Sequence, residues 1–278
     1  DIKQAVDDGA TVPISYEARL VKIKLDKEVS SEIDALVEEI SDTNEDQLEK
    51  SKKKNATINA IVGHPDRLKD VATDLVTHFE ARQEAFEGKA MIVGMTRQIC
   101  VDLYAQIIAL RPDWHSDDLD KGMIKLIMTS SSDDPESFQP HRTTKQQRKE
   151  LAIRMKEPSD SLKLVIVRDM WLTGFDAPSM NTMYVDKKMQ GANLMQAIAR
   201  VNRVYKDKPG GLIVDYIGIG QELRNAMGTY LQSGGEGKAF VDIREAIALM
   251  QEKFEIVEQM FHGFDYKAYF KAETNIKL

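Results

Sequence analysis

Short, nearly continuous apolar runs recur along the middle of this chain, each leading into a polar turn and then a helical repeat. They restrict the fold more than any other feature. The runs are Ala90-Met91-Ile92-Val93, residues 124–128, Leu164-Val165-Ile166-Val167, Met183-Tyr184-Val185 and Gly211-Leu212-Ile213-Val214. A strand with one wet face alternates apolar with polar residues. Runs without alternation belong to strands buried on both faces, which needs helices above and below the sheet. Helical patterns fill the gaps. Leu68, Val71, Leu75, Val76 and Phe79 predict a helix over about 66–86, with Pro65 and Asp66 as its start. Ile99, Leu103, Ile107 and Leu110 predict a second over 97–110, and another covers about 143–156. The expectation is an α/β fold, a parallel sheet with helices on both faces. Such sheets bind ligands at the carboxyl ends of their strands. Thr96, then Thr129 and Ser130, then Thr173-Gly174-Phe175-Asp176 follow the first three runs and are expected there.

The flanks read differently. Residues 12–25 hold Val21, Ile23 and Leu25 alternating with Lys22 and Lys24, the period-two signal of a half-exposed strand, and Pro13 favours its edge. Residues 30–55 are charge-dense, with Ile33, Leu36, Val37 and Ile40 forming a narrow helical stripe. The run Lys52-Lys53-Lys54 reads as a solvated helix face before it reads as a phosphate contact. Beyond Asp215, residues 221–231 and 242–261 are helical in pattern, separated by a glycine cluster. Its Gly235-Glu236-Gly237-Lys238 has Ala239 where a phosphate loop needs Ser or Thr, and no strand precedes it, so it is a flexible connection. Three parts follow: a strand and helical segment over 1–64, the α/β lobe over 65–218, and the start of a helical region over 219–278.

One stretch carries chemistry. After the run ending at Val167 comes Thr173-Gly174-Phe175-Asp176-Ala177-Pro178, and later Gln196, Arg200 and Arg203 in a helical pattern. A spacing of three puts both guanidiniums on one helical face. Two planar, permanently charged forks suit a phosphoryl group better than a lone carboxylate. The stretch resembles motifs V and VI of superfamily 2 helicases and translocases. It departs from the general pattern at Ala197 and Ala199, where that pattern has Arg and Gly. The longer strings LTGFDAP, ARVNR and GLIVDYIG are similar specifically to the motor (R) subunit of type I restriction enzymes.

That resemblance implies that residues 65–218 are the second of two RecA-like lobes, with residues 1–64 as an inter-lobe segment. ATP and Mg2+ would lie between the lobes, bound only when the first is present. Arg200 and Arg203 would reach across as arginine fingers, with Gln196 orienting part of the network. Asp176 would touch the ribose or couple to the arginines, and Gly174 would allow close backbone approach. DNA phosphates would meet Thr96, Arg97, Thr129, Ser130 and Thr173, with Lys145 and Arg148 adding positive charge nearby. Thr96 and Thr173 fit turn capping as well as phosphate contact. The whole subunit would pump double-stranded DNA and cleave it with an upstream nuclease, alongside methylation and specificity subunits.

Missing pieces matter as much. No Gly-x-x-x-x-Gly-Lys-Ser/Thr occurs in the chain. Asp186 and Asp215 end apolar runs as an acidic motif would, but without the loop they read as ordinary strand-end aspartates. The chain alone is therefore expected not to turn over ATP. Its first residue is Asp rather than Met, which suggests a piece of something longer. The net charge of −7 is the wrong sign for a bulk electrostatic grip on nucleic acid and lowers the expected affinity. Cys100 is the single cysteine, so a disulfide framework is excluded, a reducing cytoplasmic compartment is expected, and the thiol reads as buried rather than nucleophilic. His64, His78, His115, His141 and His262 are scattered, and no metal site is expected. No apolar run approaches membrane-spanning length and no signal peptide is legible, so no membrane is expected. Two rivals remain at this point: another superfamily 2 motor, such as a repair helicase or remodeller, and a non-catalytic α/β binding module.

Overall fold

The computed structural model describes residues 10–19 and 58–220, with positions 8, 56, 223, 240–242, 247, 250, 251, 253 and 254 besides. The chain divides into two units, Asp1–Phe240 and Val241–Leu278, and the sheet described here belongs to the first. In chain order its elements are β1 (Ile14–Ala18), α1 (Pro65–Ala85), β2 (Lys89–Gly94), α2 (Arg97–Leu110), β3 (Ile124–Ile127), α3 (Lys145–Lys156), β4 (Leu164–Val167), β5 (Met180–Asp186), α4 (Gly191–Ile198) and β6 (Gly211–Asp215). The strands pair in the order β3-β4-β2-β5-β6-β1, and every registered pair is parallel.

Both faces are covered, as the unbroken apolar runs require. Met91, Val93, Val165, Val167, Met183 and Val185 share one core with Leu151 and Met155 of α3, with Leu172, Phe175 and Ala177 of the β4–β5 connection, and with Leu194, Ala197 and Ile198 of α4. The alternate residues point the other way, under α1 and α2. Arg82 of α1 donates through Nε to Thr182 Oγ1 at 2.9 Å, and the His78 ring meets Tyr184 edge-on at 5.5 Å. The helices start where local chemistry says they should. Pro65 opens α1, the Thr96 side chain accepts the Ile99 N–H to cap α2, and Thr144 with Gln147 forms a capping box on α3.

The strand near the amino terminus is Ile14–Ala18, pairing with β6 in the main sheet from Ile14↔Gly211 to Ala18↔Asp215. Ile14 and Tyr16 supply its buried face. The Val21–Ile23–Leu25 alternation, the helical stripe over 30–55 and the lysine run at 52–54 lie outside the described residues. So do the glycine cluster and most of the C-terminal helical patterns. The start of β6 can pack on the turn after α4 only because it is glycine: a Cβ on Gly211 would sit 2.4 Å from the Val201 carbonyl oxygen.

The strand-end aspartates are structural. Asp186 is buried and bound twice by Arg67, at 2.5 and 3.0 Å, while the same guanidinium also donates to the carbonyls of Val62 and Tyr216. Asp215 accepts the Tyr16 hydroxyl at 2.5 Å and the N–H groups of Ile217, Gly218 and Ile219, closing the turn after β6. Cys100 is buried with its thiol toward the Val167 carbonyl at 3.6 Å, and burial pushes it up to about 12. Among the described residues no helix is long and apolar enough to cross a membrane.

Two stability predictions follow from these buried groups. Asp186→Asn leaves Arg67 charged and unpaired in the core, and urea denaturation is expected to show a loss of about 3–5 kcal/mol. His141 packs edge-on against Tyr104 at 4.6 Å, and burial, then the charges of His115 and Lys125, lower it from 6.5 to about 4. Its contribution is therefore complete above pH 6.5 and is lost as the pH falls toward 4, where the ring must charge. His141→Phe is expected to flatten that part of the stability–pH curve, measured by thermal melts across the window.

Candidate functional site

β4 and β5 are not neighbours, because β2 lies between them. Residues 168–179 must therefore travel from the carboxyl end of β4 back across a sheet face to the amino end of β5. The far end of α3 marks that destination: Lys89, first in β2, donates through Nζ to the Arg154 carbonyl at 2.7 Å, and Lys156 Nζ stands 5.6 Å from the Phe175 ring. This corrects one expectation. Thr173-Gly174-Phe175-Asp176 is not on the carboxyl rim beside Thr96 but within the crossover, with Asp176 shortly before β5 begins.

A second correction concerns the arginines. α4 ends at Ile198, so Arg200 and Arg203 do not share a helical face. The N–H groups of Arg200 and Val201 donate to carbonyls only three residues back, at 3.0 Å each, which tightens and ends the helix. The chain then runs extended. Val12 N–H donates to the Asn202 carbonyl at 2.9 Å, and Arg203 forms an antiparallel bridge with Thr11.

The two arginines nevertheless meet the crossover. Arg200 donates through Nη1 to the Phe175 carbonyl and through Nε to the Gln196 carbonyl, the latter at 3.1 Å. Arg203 Nε lies 3.4 Å from Asp176 Oδ1, with the two side chains 45% and 57% exposed. Burial, then the neighbouring Arg203 charge, lowers Arg200 from its ordinary value, while Asp176 opposes both. An exposed ion pair is worth about 0–1 kcal/mol, and a guanidinium has five donors, so Arg203 can exchange its carboxylate for another anion at little cost. The Gln196 side chain is exposed beside them.

Gly174 sits at φ +68°, with nothing within 4 Å of an added Cβ. Glycine is favoured there by backbone conformation, and the space over it is open. Trp171 takes the same left-handed region at φ +66° without being glycine, and its ring stacks on Phe175 at 4.4 Å and 9°. That stack fixes the peptide whose carbonyl holds Arg200.

The expected DNA contacts form a separate group. Arg97 donates through Nη1 to the Thr129 carbonyl at 3.0 Å and pairs with Asp134 at 2.7 Å. Arg97 and Thr129, together with Ser130, Ser131 and Met170, line a cleft of about 410 Å³ at the carboxyl ends of β3 and β4. Thr96 borders this group but spends its hydroxyl as the α2 cap, at 3.1 Å from Ile99 N. Thr173 is exposed in the crossover, apart from it. Lys145 and Arg148 stand in the first turn of α3, and Arg148 donates to the Thr143 carbonyl. Sequence reasoning missed Arg168, which lines the cleft, and Lys187, which donates to the Arg168 carbonyl at 2.9 Å. The signal was present: each is the first cation after a strand ends.

The parallel sheet covered on both faces, with a polar crossover against an arginine-bearing turn, has the RecA-like α/β fold. The fold has a counterpart in the structure of an HsdR subunit fragment of a type I restriction enzyme from Vibrio vulnificus YJ016. The TM-score is 0.50 at 17% identity, over 81% of this chain and 35% of that one. Residues 105–218 match the family described as type I restriction enzyme subunit R domain 3. Residues 233–278 match the C-terminal family of type I restriction enzyme HindI endonuclease subunit-like proteins. The HindI endonuclease subunit of Haemophilus influenzae is 49% identical over 94% of this chain and 24% of its own length. A subunit of Methanocaldococcus jannaschii described as MjaIXP is 41% identical over 98% of this chain and 25% of its own length. The chain belongs to the family of type I restriction enzyme endonuclease (R) subunits. It spans about a quarter of the length of the curated relatives it matches.

The crossover geometry predicts the effect of substitution at its glycine. Gly174→Ala forces a side chain into the left-handed region and is expected to cost about 1–2 kcal/mol in chemical denaturation. Gly174→Asn, which tolerates that region, is expected to cost less.

Proposed function

We propose that this chain is the second motor lobe of an ATP-driven DNA translocase within a type I restriction enzyme, and that it supplies arginine fingers to a nucleotide held against a first lobe. One observation carries this reading. Arg203 on Asp176, and Arg200 on the Phe175 carbonyl, join the two motif segments into a single charged, solvent-facing site. The residues fit the phosphates of ATP: Arg203 has donors to spare, and the backbone at Gly174 is open to approach. ATP, when bound, supplies the phosphoryl group whose transfer to water drives movement.

The roles of the chain's own groups follow from their anchors. Arg200, tied by two backbone carbonyls, presents its remaining donors in a fixed direction. Arg203 trades Asp176 for phosphoryl oxygens, and Asp176 is then free to accept a ribose hydroxyl. Gln196 stands beside Arg200 to orient the network. Fixed guanidinium charge placed where negative charge develops accelerates such transfers by roughly 10³–10⁵ in GTPases. The Walker loop and the acidic pair would lie on the first lobe, whose residues would hold the Mg2+ that neutralises phosphate charge.

Double-stranded DNA passes over the carboxyl rim, held through its phosphates by Arg97, the Thr129–Ser130 loop and Arg168, which suits a motor indifferent to sequence. The complete subunit works in the cytoplasm with methylation and specificity subunits and carries its nuclease elsewhere.

In the complete subunit, Arg203→Ala is expected to lower DNA-stimulated ATP hydrolysis by roughly 10³-fold or more. Its thermal midpoint should barely move, because the lost ion pair is exposed. Normal turnover in that variant would leave a non-catalytic binding module as the better reading. The 278-residue chain by itself is expected to hydrolyse no ATP with or without DNA. Measurable activity would overturn the division of labour between lobes.

A further inference from the structure

Two cations, Arg97 and Arg168, line the rim cleft and a third, Lys187, is bonded to the Arg168 carbonyl; each is already engaged by a carboxylate of the same rim. Arg97 pairs with Asp134 at 2.7 Å. Arg168 Nη1 lies 3.1 Å from Asp169 Oδ2, and Lys187 Nζ binds the other oxygen of that same carboxylate. The two acids differ in kind. The Asp134 side chain is 3% exposed and also accepts the Ser131 N–H at 2.6 Å, so it is a fixed part of the loop. Asp169 is 58% exposed, and Arg168 is 52% exposed. The Arg168 half of this second arrangement can come apart in water at a cost of about 0–1 kcal/mol, while Lys187, 17% exposed, keeps its bond to the Arg168 carbonyl when Asp169 leaves.

We propose that Asp169 is a built-in stand-in for a DNA phosphate: it holds Arg168 and Lys187 together on the empty rim and is displaced from them by the backbone of a duplex. This rests on the reading that DNA crosses the rim. A carboxylate and a phosphodiester each offer two oxygens to a guanidinium fork, so one replaces the other without rebuilding the site. The exchange is close to balanced. DNA gains two cation contacts, while the rim gives up two and leaves an unpaired Asp169 carboxylate facing a polyanion. Grip is thereby held below what the same two cations would give alone, and each contact can be released by return of the carboxylate. Asp134 does the other half of the work, fixing Arg97 against the Thr129 carbonyl so that one cation stays in place throughout.

The test is binding of this chain to a short fluorescent duplex, followed by anisotropy over a range of salt. Asp169→Asn frees two cations and is expected to tighten binding by roughly threefold to thirtyfold. It should also steepen the slope of log K against log salt by up to about 1.8, at about 0.9 per added phosphate contact. Asp169→Glu, which keeps the charge, should bind as the unaltered chain does. Glu84→Gln removes an exposed carboxylate from the last turn of α1, at the opposite end of the sheet, and sets the effect of one lost charge. If Arg168→Ala weakens binding while Asp169→Asn changes it no more than Glu84→Gln, DNA crosses the rim but the stand-in role is overturned. If neither rim variant departs from Glu84→Gln, the rim reading itself fails and takes this inference with it.

Discussion

The placement of β2 between β4 and β5 governs the rest of the molecule. Parallel strands separated by a third cannot be joined by a tight turn, so residues 168–179 have to recross the sheet. They do so without a helix, burying Leu172, Phe175 and Ala177 against the strands instead. Polar residues between these anchors are forced outward. Thr173, Gly174 and Asp176 are exposed because Leu172 and Phe175 are not. The charged site is thus a by-product of how a short crossover covers an apolar face, and the left-handed conformations at Trp171 and Gly174 are the local cost of covering it in so few residues.

The same crossover begins at one proposed site and ends at the other. Arg168 and Asp169 open it on the carboxyl rim, and Asp176 closes it beside Arg203. Between them the Trp171–Phe175 stack passes directly into the carbonyl that holds Arg200. A change in the ion pairs at the rim and a change in the arginines therefore act on one short, packed piece of backbone. The buried Arg67–Asp186 pair and the turn closed by Asp215 secure the ends of β5 and β6 beside it.

Much of this was legible because burial on both faces leaves a plain mark. The helix over 97–110 and the strand Leu164-Val165-Ile166-Val167 have the bounds that their apolar patterns predict, and the remaining lobe strands shift by a few residues at most. Arg200 and Arg203 were found by their resemblance to a motif, but their geometry was misread from spacing. Beyond the end of α4 the chain pairs with Thr11 and Val12, far away in sequence, and no local pattern carries that pairing. β1, Ile14–Ala18, falls inside the 12–25 segment read as a strand. Ile14 and Tyr16 make a short inward face whose partner, β6, is distant, whereas the longer alternation at 21–25 looked stronger and lies outside the described residues. The crossover hid Asp176 in the same way: nothing in the run after Val167 tells which strand comes next in the sheet.

Electrostatics ties the sites to the chain's overall balance. A net charge of −7 repels a duplex at long range, and within a Debye length of roughly 10 Å only the local arrangement counts. The rim answers with cations that are neutralised where they stand, and the arginine site does the same through Asp176. On the reading proposed above, a carboxylate in both places occupies the ground that a phosphate would take. A lobe so arranged has no standing attraction for polyanions in general, and its cations are drawn out only where a phosphate is presented in reach of the fork. If the lobe serves the motor proposed above, which must let go as often as it takes hold, paired charge would serve better than a bare basic surface.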